Sequence, residues 1–253
     1  LDLLRGLATF VPVTSASDTE REAAGILLVW DFRSRSLDEV VRAMPNLRWL
    51  HAASAGLEHV LVPAVVASDV VVTNAAGFFD EPIAEFVAAL VLAHAKQLDV
   101  SIAAQRDRRW LHREAAMVAG STMVIVGMGR IGRAVGRTAQ ALGMQVTGVR
   151  RSGRPHPDDP EGTRLETDLV AAAARADYLV VTAALTPETR NLVSAAVIDA
   201  LRPPAYVINV ARAPIVDTVA LIAALRDGRL AGAALDVFDR EPLAPESELW
   251  DVP

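Results

Sequence analysis

The chain has 253 residues, no cysteine, 52% hydrophobic residues, 22% charged residues and a formal net charge of −6. This composition excludes a disordered chain, a disulfide scaffold and a cysteine nucleophile. The acidic balance lacks the basic surface of a general nucleic-acid binder, so no nucleic-acid partner is predicted.

The first part of the sequence predicts a small α/β unit. Apolar runs at 25–30, 47–53 and 70–73 are candidate buried strands, and residues 37–44 have the apolar spacing of a helix. No basic segment precedes a clean apolar stretch, and the longest apolar stretch, 83–95, contains Glu85 and His94. We therefore expect no signal peptide, no membrane partner and a cytoplasmic location.

The second part of the sequence predicts a larger α/β unit. A long helix is expected from Pro82 to about Arg109, because proline suits a first helical turn and apolar residues recur three and four positions apart. After residue 122, predicted strands (123–127, 145–149, 178–182, 205–210 and 232–237) alternate with predicted helices (131–142, 165–175, 195–201 and 216–226). This alternation is typical of a doubly wound parallel sheet that helices cover on both faces.

A glycine motif follows the first strand of the larger unit. Gly127, Gly129 and Gly132 form G-x-G-x-x-G between a predicted strand and a predicted helix, which is the arrangement of a dinucleotide-binding turn. The first glycine permits the tight turn, the second lets a pyrophosphate approach, and the third lets helix and strand pack closely. The alternative is a glycine-rich turn without a ligand.

The end of the next strand indicates which dinucleotide is bound. NAD-binding proteins usually carry an acidic residue there, about 20 residues after the motif, to hold the ribose hydroxyls. This sequence has Arg150, Arg151 and Ser152 instead. Two guanidinium groups and a hydroxyl suit a 2′-phosphate, so NADP is favoured and NAD is kept as the alternative. A solvated basic turn is the non-functional interpretation.

From about Asn46 to Pro253 the chain resembles the D-isomer-specific 2-hydroxyacid dehydrogenases. The matching segments occur in order and are Asn74–Gly77 with 83–86, Gly127–Gly132, Leu185–Arg190, Asn209–Arg212, and Ala234–Phe238 with Glu241 and Pro242. The resemblance implies a Rossmann-type dinucleotide-binding domain at 75–253. It also implies a smaller flavodoxin-like α/β substrate domain at 1–74, incomplete in this chain, with the active site in a cleft between the two.

The resemblance also assigns roles to individual residues. Arg212 would bind the substrate carboxylate and polarise its 2-keto oxygen, and Glu241 would keep a histidine protonated as the acid. The residues implied to contact the cofactor, besides the glycines and the arginine pair, are Arg130, Ile131, Thr182, Ala183, Val210, Ala211 and Asp236. The residues implied to bind the substrate carboxylate through backbone N–H groups are Ser54, Ala55 and Gly56. Arg212 as a strand cap and Glu241 as a solvated turn residue are the alternatives.

The sequence departs from the family pattern at several positions. Ala213 stands where glycine is usual, Ala184 where proline is frequent, and Glu58 where aspartate is common. The family histidine follows the Glu241 segment, and we expect it beyond Pro253. The histidines of this sequence are interpreted as structural or surface residues, and they are His51, His59, His94, His112 and His156.

The resemblance implies an oxidoreductase that transfers a hydride between NAD(P)H and a small 2-oxo acid such as glyoxylate or hydroxypyruvate. The alternative from another class is a dinucleotide-binding regulator or corepressor-like sensor, and a third is formate or phosphite oxidation. No metal-binding pattern is present in the sequence. The resemblance further implies a homodimer through the dinucleotide-binding domain, with Trp110 in the arm 82–119 as a candidate interface residue.

Overall fold

The computed structural model describes residues 6, 8–30 and 36–252. The chain divides into two compact units, residues 1–78 and residues 79–253, called here the N-terminal and C-terminal units. Each unit is described separately. The predicted boundary lay at 74/75, and the assignment of a substrate role to the first unit stays a prediction.

The N-terminal unit is a small parallel α/β structure. Its elements are α1 (Asp18–Ala23), β1 (Ile26–Val29), α2 (Leu37–Arg42), β2 (Trp49–Ala52), α3 (Pro63–Val66) and β3 (Val71–Asn74). The strands form a parallel sheet in the order β1-β2-β3, which confirms the predicted α/β class. The sequence analysis missed α1, although Ser17 and Glu20 form the capping box that starts it: the Ser17 backbone N–H donates to the Glu20 carboxylate at 2.8 Å, and the Ser17 hydroxyl accepts from the Glu20 N–H.

The sheet of the N-terminal unit is buried on one face. Leu27, Leu50 and Ala52 point to a core with α2, whereas Ile26 and Trp49 on the other face are 56% and 41% exposed. Successive side chains of a strand point to opposite faces, so this alternation means that the described residues cover a single face of the sheet.

The C-terminal unit contains a six-stranded parallel sheet. Its elements are α4 (Asp80–Lys96), α5 (Leu98–Arg106), β4 (Thr122–Val126), α6 (Arg130–Ala141), β5 (Gln145–Val149), β6 (Arg164–Glu166), α7 (Leu169–Ala173), β7 (Tyr178–Val181), α8 (Ala195–Ala200), β8 (Tyr206–Asn209), α9 (Thr218–Arg226) and β9 (Gly232–Leu235). The strand order is β6-β5-β4-β7-β8-β9. The chain winds outward from β4 in one direction and then in the other, which confirms the predicted Rossmann-type fold.

Two apolar layers enclose this sheet. Val124 and Leu179 belong to the layer on one face, whereas Ile125 and Ile208 belong to the layer on the other. All four side chains are fully buried. Burial on both faces explains why the strand sequences are almost continuously apolar.

Two sequence-based predictions about this unit were wrong. The single helix expected from 82 to 109 is two helices, because Gln97 adopts the left-handed conformation (φ 49°, ψ 51°) and the helix axes bend there by 65°. The helix expected at 165–175 begins only at Leu169, where Asp168 caps it by accepting from the Ala171 N–H at 3.0 Å. Leu165 instead lies in β6, whose three residues pair with β5.

Among the described residues no single helix is both long and apolar enough to cross a membrane. The bent pair α4 and α5 meets the criteria of length and composition when its two helices are taken together.

Candidate functional site

Most of the predicted site residues lie at one edge of the larger sheet. Parallel strands have their carboxyl ends at the same edge, and the residues that follow five neighbouring strands there are Gly127, Arg150, Thr182, Val210–Arg212 and Asp236. Backbone hydrogen bonds continue past the strand ends, for example from the Thr182 N–H to the Val126 carbonyl at 2.9 Å. The glycine motif follows β4, where the winding direction reverses, which is where open α/β sheets bind ligands.

The first and third glycines of the motif are required sterically. Gly127 has a φ of +101°, and a Cβ atom on it would lie 2.6 Å from the Ala183 Cα. A Cβ atom on Gly132 would lie 2.2 Å from the Gly127 carbonyl oxygen. Real Cβ contacts are not this short, so both positions exclude any larger residue, as the sequence analysis predicted for a tight turn and a close helix packing.

The second glycine faces open space. A Cβ atom on Gly129 would have no atom of the described residues within 4 Å. Gly129 is the N-cap residue of α6, and no side chain of the described residues caps this helix. Unpaired N–H groups and the positive end of the helix dipole favour an anion there, so the loop fits the pyrophosphate of a dinucleotide.

The residues beside the glycine turn support its conformation. The Thr182 hydroxyl donates to the Gly127 carbonyl at 2.7 Å, and the Ala183 backbone packs against Gly127. The Arg130 side chain forms an ion pair with Asp80 at 3.0 Å, and Arg130 is the first residue of α6. Ile131 is half-buried in the same first turn of α6.

The structure separates the two arginines that the sequence analysis treated alike. The Arg150 guanidinium forms an ion pair with Asp159 and donates to the Arg154 carbonyl at 3.0 Å, and its side chain is only 15% exposed. Arg151 and Ser152 are exposed. At the end of β5, Arg151 is therefore open to a ligand, whereas Arg150 is largely buried and already paired.

Arg212 lies in a turn at the end of β8 whose backbone is held by hydrogen bonds from the Asn209 side chain. Asn209 is buried, its side-chain amide donates to the Arg212 carbonyl at 3.0 Å, and its side-chain oxygen accepts from the Ala211 N–H at 3.0 Å. Arg212 itself is half-buried and donates from Nη1 to the Ala211 carbonyl at 2.7 Å. The sequence analysis missed Asn209 as a positioning residue, although a polar residue at the end of an apolar strand needs hydrogen-bond partners and was the available signal.

Two carboxylates lie close together after β9. Burial and then the negative charge of Glu241 raise the pKa of Asp236 above its ordinary value. Glu241 accepts a hydrogen bond from the Phe238 N–H at 3.1 Å. In the part of the chain that the structure describes, no histidine bonds to Glu241, so the predicted Glu–His pair stays a prediction.

The predicted substrate loop lies in the N-terminal unit, directly after β2. The Ser54 hydroxyl donates to the Gly56 carbonyl at 2.8 Å, and the Asn74 side chain donates to the Ala55 carbonyl at 2.6 Å. His59 Nε2 is 3.4 Å from the Ser54 hydroxyl. These contacts fix the loop from its carbonyl side, and its role as a carboxylate ligand stays a prediction.

A cavity of about 720 Å³ lies beside the Arg212 turn in the C-terminal unit, between α9, β9 and the segment 237–249, and Asn209 and Ala213 are part of its lining. Its apolar lining includes Leu221, Ile222, Leu235 and Leu249. None of the predicted site residues lines it.

The six-stranded parallel sheet and its glycine turn lie in a segment that matches a known protein family. Residues 88–253 match the family described as D-isomer specific 2-hydroxyacid dehydrogenase, NAD binding domain. The chain belongs to this family. Its resemblance to these dehydrogenases, inferred above from ordered motifs, is thereby confirmed.

Relatives within the family include reductases of 2-oxo acids. The chain is 32% identical over 217 residues to a glyoxylate reductase of Thermofilum pendens, which covers 83% of this chain and 64% of that protein. It is 34% identical over 211 residues to a hydroxyphenylpyruvate reductase of Plectranthus scutellarioides, covering 82% and 66%. The chain thus spans just under two thirds of the length of these two relatives.

A solved structure of the family is also similar. The NADPH-dependent glyoxylate/hydroxypyruvate reductase of Sinorhizobium meliloti, crystallised with NADP and sulfate, is 30% identical. It superposes with a TM-score of 0.82 and covers 95% of this chain and 77% of that one.

Proposed function

We propose that this protein reduces a small 2-oxo acid with NADPH, and less effectively with NADH. One observation carries the proposal: within one unit, the same sheet edge holds a glycine turn that fits a pyrophosphate and an arginine fixed by a buried asparagine. The reductase activities of the relatives from Thermofilum pendens and Plectranthus scutellarioides support the same substrate class.

Arg212 is the residue that would recognise the substrate. A 2-oxo acid offers a planar set of carboxylate and keto oxygens, and a guanidinium fork donates to such a set in one plane. The Asn209 bridges hold the backbone on both sides of Arg212, so the side chain starts from a fixed position. Donors placed in advance stabilise the charge that develops on the keto oxygen during reduction.

NADPH would supply the hydride for C2 of the substrate when bound at the Gly127–Gly132 turn. Arg151 and Ser152 are the exposed groups at the end of β5 that suit a 2′-phosphate. The similar reductase of Sinorhizobium meliloti was crystallised with NADP, which supports this preference. NAD is kept as the alternative cofactor.

Glu241 would take part in proton transfer through the catalytic histidine, and Asp236 would lie near the nicotinamide amide of the cofactor. As the family resemblance implies, Glu241 would hydrogen-bond the histidine that donates the proton. A carboxylate next to a histidine favours the protonated form of the histidine. Burial and the nearby Glu241 carboxylate raise the pKa of Asp236, so a positively charged group bound beside the two carboxylates would be attracted to them.

The regulator alternative is less well supported than the reductase. A sensor would need the glycine turn but not a substrate-binding arginine, whereas this chain has Arg212 and Asp236 at one sheet edge and Glu241 near Asp236. The named relatives are reductases.

The protein is further proposed to act as a homodimer in the cytoplasm. The segment after α5 exposes large apolar side chains, with Trp110 at 96% and Met117 at 75% exposure. Exposed apolar side chains of this kind are typical of an interface. Light scattering should give twice the chain mass, and Trp110→Ala should shift the protein towards the monomer; a wild-type monomer would contradict this part of the proposal.

The reductase proposal is tested with the purified full-length protein. Glyoxylate, hydroxypyruvate and hydroxyphenylpyruvate are each supplied with NADPH or NADH, and oxidation of the nicotinamide is followed by its absorbance. We expect turnover with at least one acid and a higher kcat/KM with NADPH. Nucleotide binding without turnover of any acid would favour the regulator instead.

A further inference from the structure

The loop between β5 and β6, residues 150–163, contains a buried ion pair at the end of β5, and its role in nucleotide binding rests on the proposed function. Asp159 is the acidic residue in this loop that contacts Arg150. Its side chain is only 9% exposed, and it also accepts a hydrogen bond from the His156 N–H at 2.8 Å. The carboxylate therefore closes the loop and holds the guanidinium at the same time.

Asp159 is negatively charged at neutral pH. Burial would raise the pKa of its carboxyl group, but the His156 hydrogen bond and the charges of Arg150 and Arg133 together lower it below its ordinary value. The buried pair of Arg150 and Asp159 thus has no net charge, and removing one member would leave the other uncompensated.

The Arg150 guanidinium is largely buried and already has an anionic partner. Its guanidinium donates to Asp159 and to the Arg154 carbonyl, and its backbone N–H donates to the Glu166 carbonyl at 3.1 Å. Arg151, the next residue, is exposed and acts through its charge on Glu188, whose pKa is lowered mainly by the Thr186 hydrogen bond.

We propose that Asp159 sets the nucleotide preference of this protein by neutralising Arg150, which leaves the 2′-phosphate of NADP to Arg151 and Ser152. Arg150 stabilises the loop through its contacts with Asp159 and Arg154, and Arg151 is the residue that distinguishes NADPH from NADH. Asp159 limits that preference, because it cancels the positive charge of Arg150, which would otherwise attract the expected 2′-phosphate at the same strand end.

The decisive variant is Asp159→Asn, which keeps the shape and an acceptor oxygen but removes the charge. We expect NADPH to bind about three- to tenfold more tightly, since the charge of Arg150 is then no longer neutralised beside the expected 2′-phosphate, while NADH binding stays unchanged. The gain in affinity should shrink as salt is raised, because the Debye length is about 10 Å at 0.1 M and added ions screen the attraction between Arg150 and the 2′-phosphate. Dissociation constants are measured by titration calorimetry with NADPH and NADH.

Two further variants control this experiment. Asp158→Asn removes the neighbouring carboxylate, whose side chain is 71% exposed, and should leave both dissociation constants within twofold of the wild type. Arg151→Gln should weaken NADPH binding about tenfold or more and leave NADH binding unchanged, because a charge-assisted phosphate contact is lost. Arg151 is exposed, so this variant tests the inference even where Asp159→Asn does not fold.

The possible results separate the inference from the proposed function. Weaker NADPH binding by Asp159→Asn would overturn the inference, because Asp159 would then position Arg150 as a phosphate ligand. Equal changes for NADPH and NADH, or no change, would also overturn it, because Asp159 would then serve the loop only. A wild-type protein that binds neither nucleotide would instead contradict the proposed function, and the inference with it.

Discussion

The two parallel sheets of this chain bury their side chains differently. In β7 all four residues are buried, whereas in β1 and β2 buried residues alternate with more exposed ones. The difference arises because two apolar layers enclose the larger sheet, whereas the described residues cover only one face of the smaller sheet. An apolar strand sequence therefore indicates a parallel strand, but it does not indicate how many faces are covered.

The largest expected effect tests this contrast directly. Ile208→Ala in β8 removes a side chain with no exposure and should lower the free energy of unfolding of the C-terminal unit by about 2–5 kcal/mol. Ile26→Ala in β1 is the matched control, because Ile26 is 56% exposed, and it should change stability by about 0.5 kcal/mol. Urea denaturation measures both. A similar loss for the two variants would mean that the outer face of the smaller sheet is covered in solution.

The next effect concerns the edge of the larger sheet at which we propose that the substrate binds. Arg212→Met should lower kcat/KM for the 2-oxo acid about 10²–10³-fold, as loss of a preorganised donor to a developing charge does elsewhere. Arg202→Met is the control, since Arg202 precedes β8 at the opposite end and pairs with Asp177 at the surface. Steady-state kinetics compares the two. Equal losses would remove Arg212 from the substrate site.

A smaller effect distinguishes the glycines of the turn. Gly132→Ala should destabilise the C-terminal unit by about 1–3 kcal/mol, because the added methyl group meets the Gly127 carbonyl oxygen. Gly129→Ala should leave stability unchanged and weaken NADPH binding, because its methyl group enters the open space expected for the pyrophosphate. Thermal unfolding and NADPH titration separate the two outcomes. If Gly129→Ala binds NADPH as the wild type does, the pyrophosphate lies elsewhere.

The smallest effect is the pH dependence of the C-terminal unit. Burial lowers the pKa of His94 below 6.5, against the opposing charge of Asp99, and the ring stacks on Tyr206 with centroids 4.1 Å apart. The unfolded chain then binds the proton more readily, so stability is complete above about pH 6.5 and falls as the pH drops towards the lower folded pKa.

His94→Phe keeps a ring against Tyr206 and removes this titration. The variant should lose less stability than the wild type between about pH 7.5 and pH 5.5, measured as the difference in thermal midpoint. Asp99→Asn should enlarge the loss, because the charge that raises the His94 pKa is removed. Identical pH profiles for the wild type and His94→Phe would contradict the assignment.

The sequence predicted the α/β class, the strands of both sheets except β6, and the glycine turn, because these depend on local patterns. It did not predict the break at Gln97, since a left-handed conformation without glycine or proline leaves no signal. It also missed β6, which has only three residues and is held by pairing with β5. Short strands of this kind depend on their neighbours rather than on their own apolar pattern.

The candidate site was predicted unevenly for a similar reason. Motif residues such as Gly127 and Arg212 lie where the pattern placed them, at strand ends of one sheet. The difference between Arg150 and Arg151 was not visible, because it comes from a partner, Asp159, in a loop whose conformation the sequence pattern does not define. Asn209 was overlooked because its function is to hold backbone groups of its neighbours.

The hydrogen bond from the Thr182 hydroxyl to the Gly127 carbonyl joins residues 55 positions apart. The glycine turn is local in sequence, yet its final shape depends on a strand that is synthesised much later. A nascent chain that ends before β7 would carry the complete glycine motif without the contacts that hold it. We therefore expect dinucleotide binding to begin late in synthesis, after β7 has paired with β4. Binding would then indicate that the contact between Thr182 and Gly127 has formed.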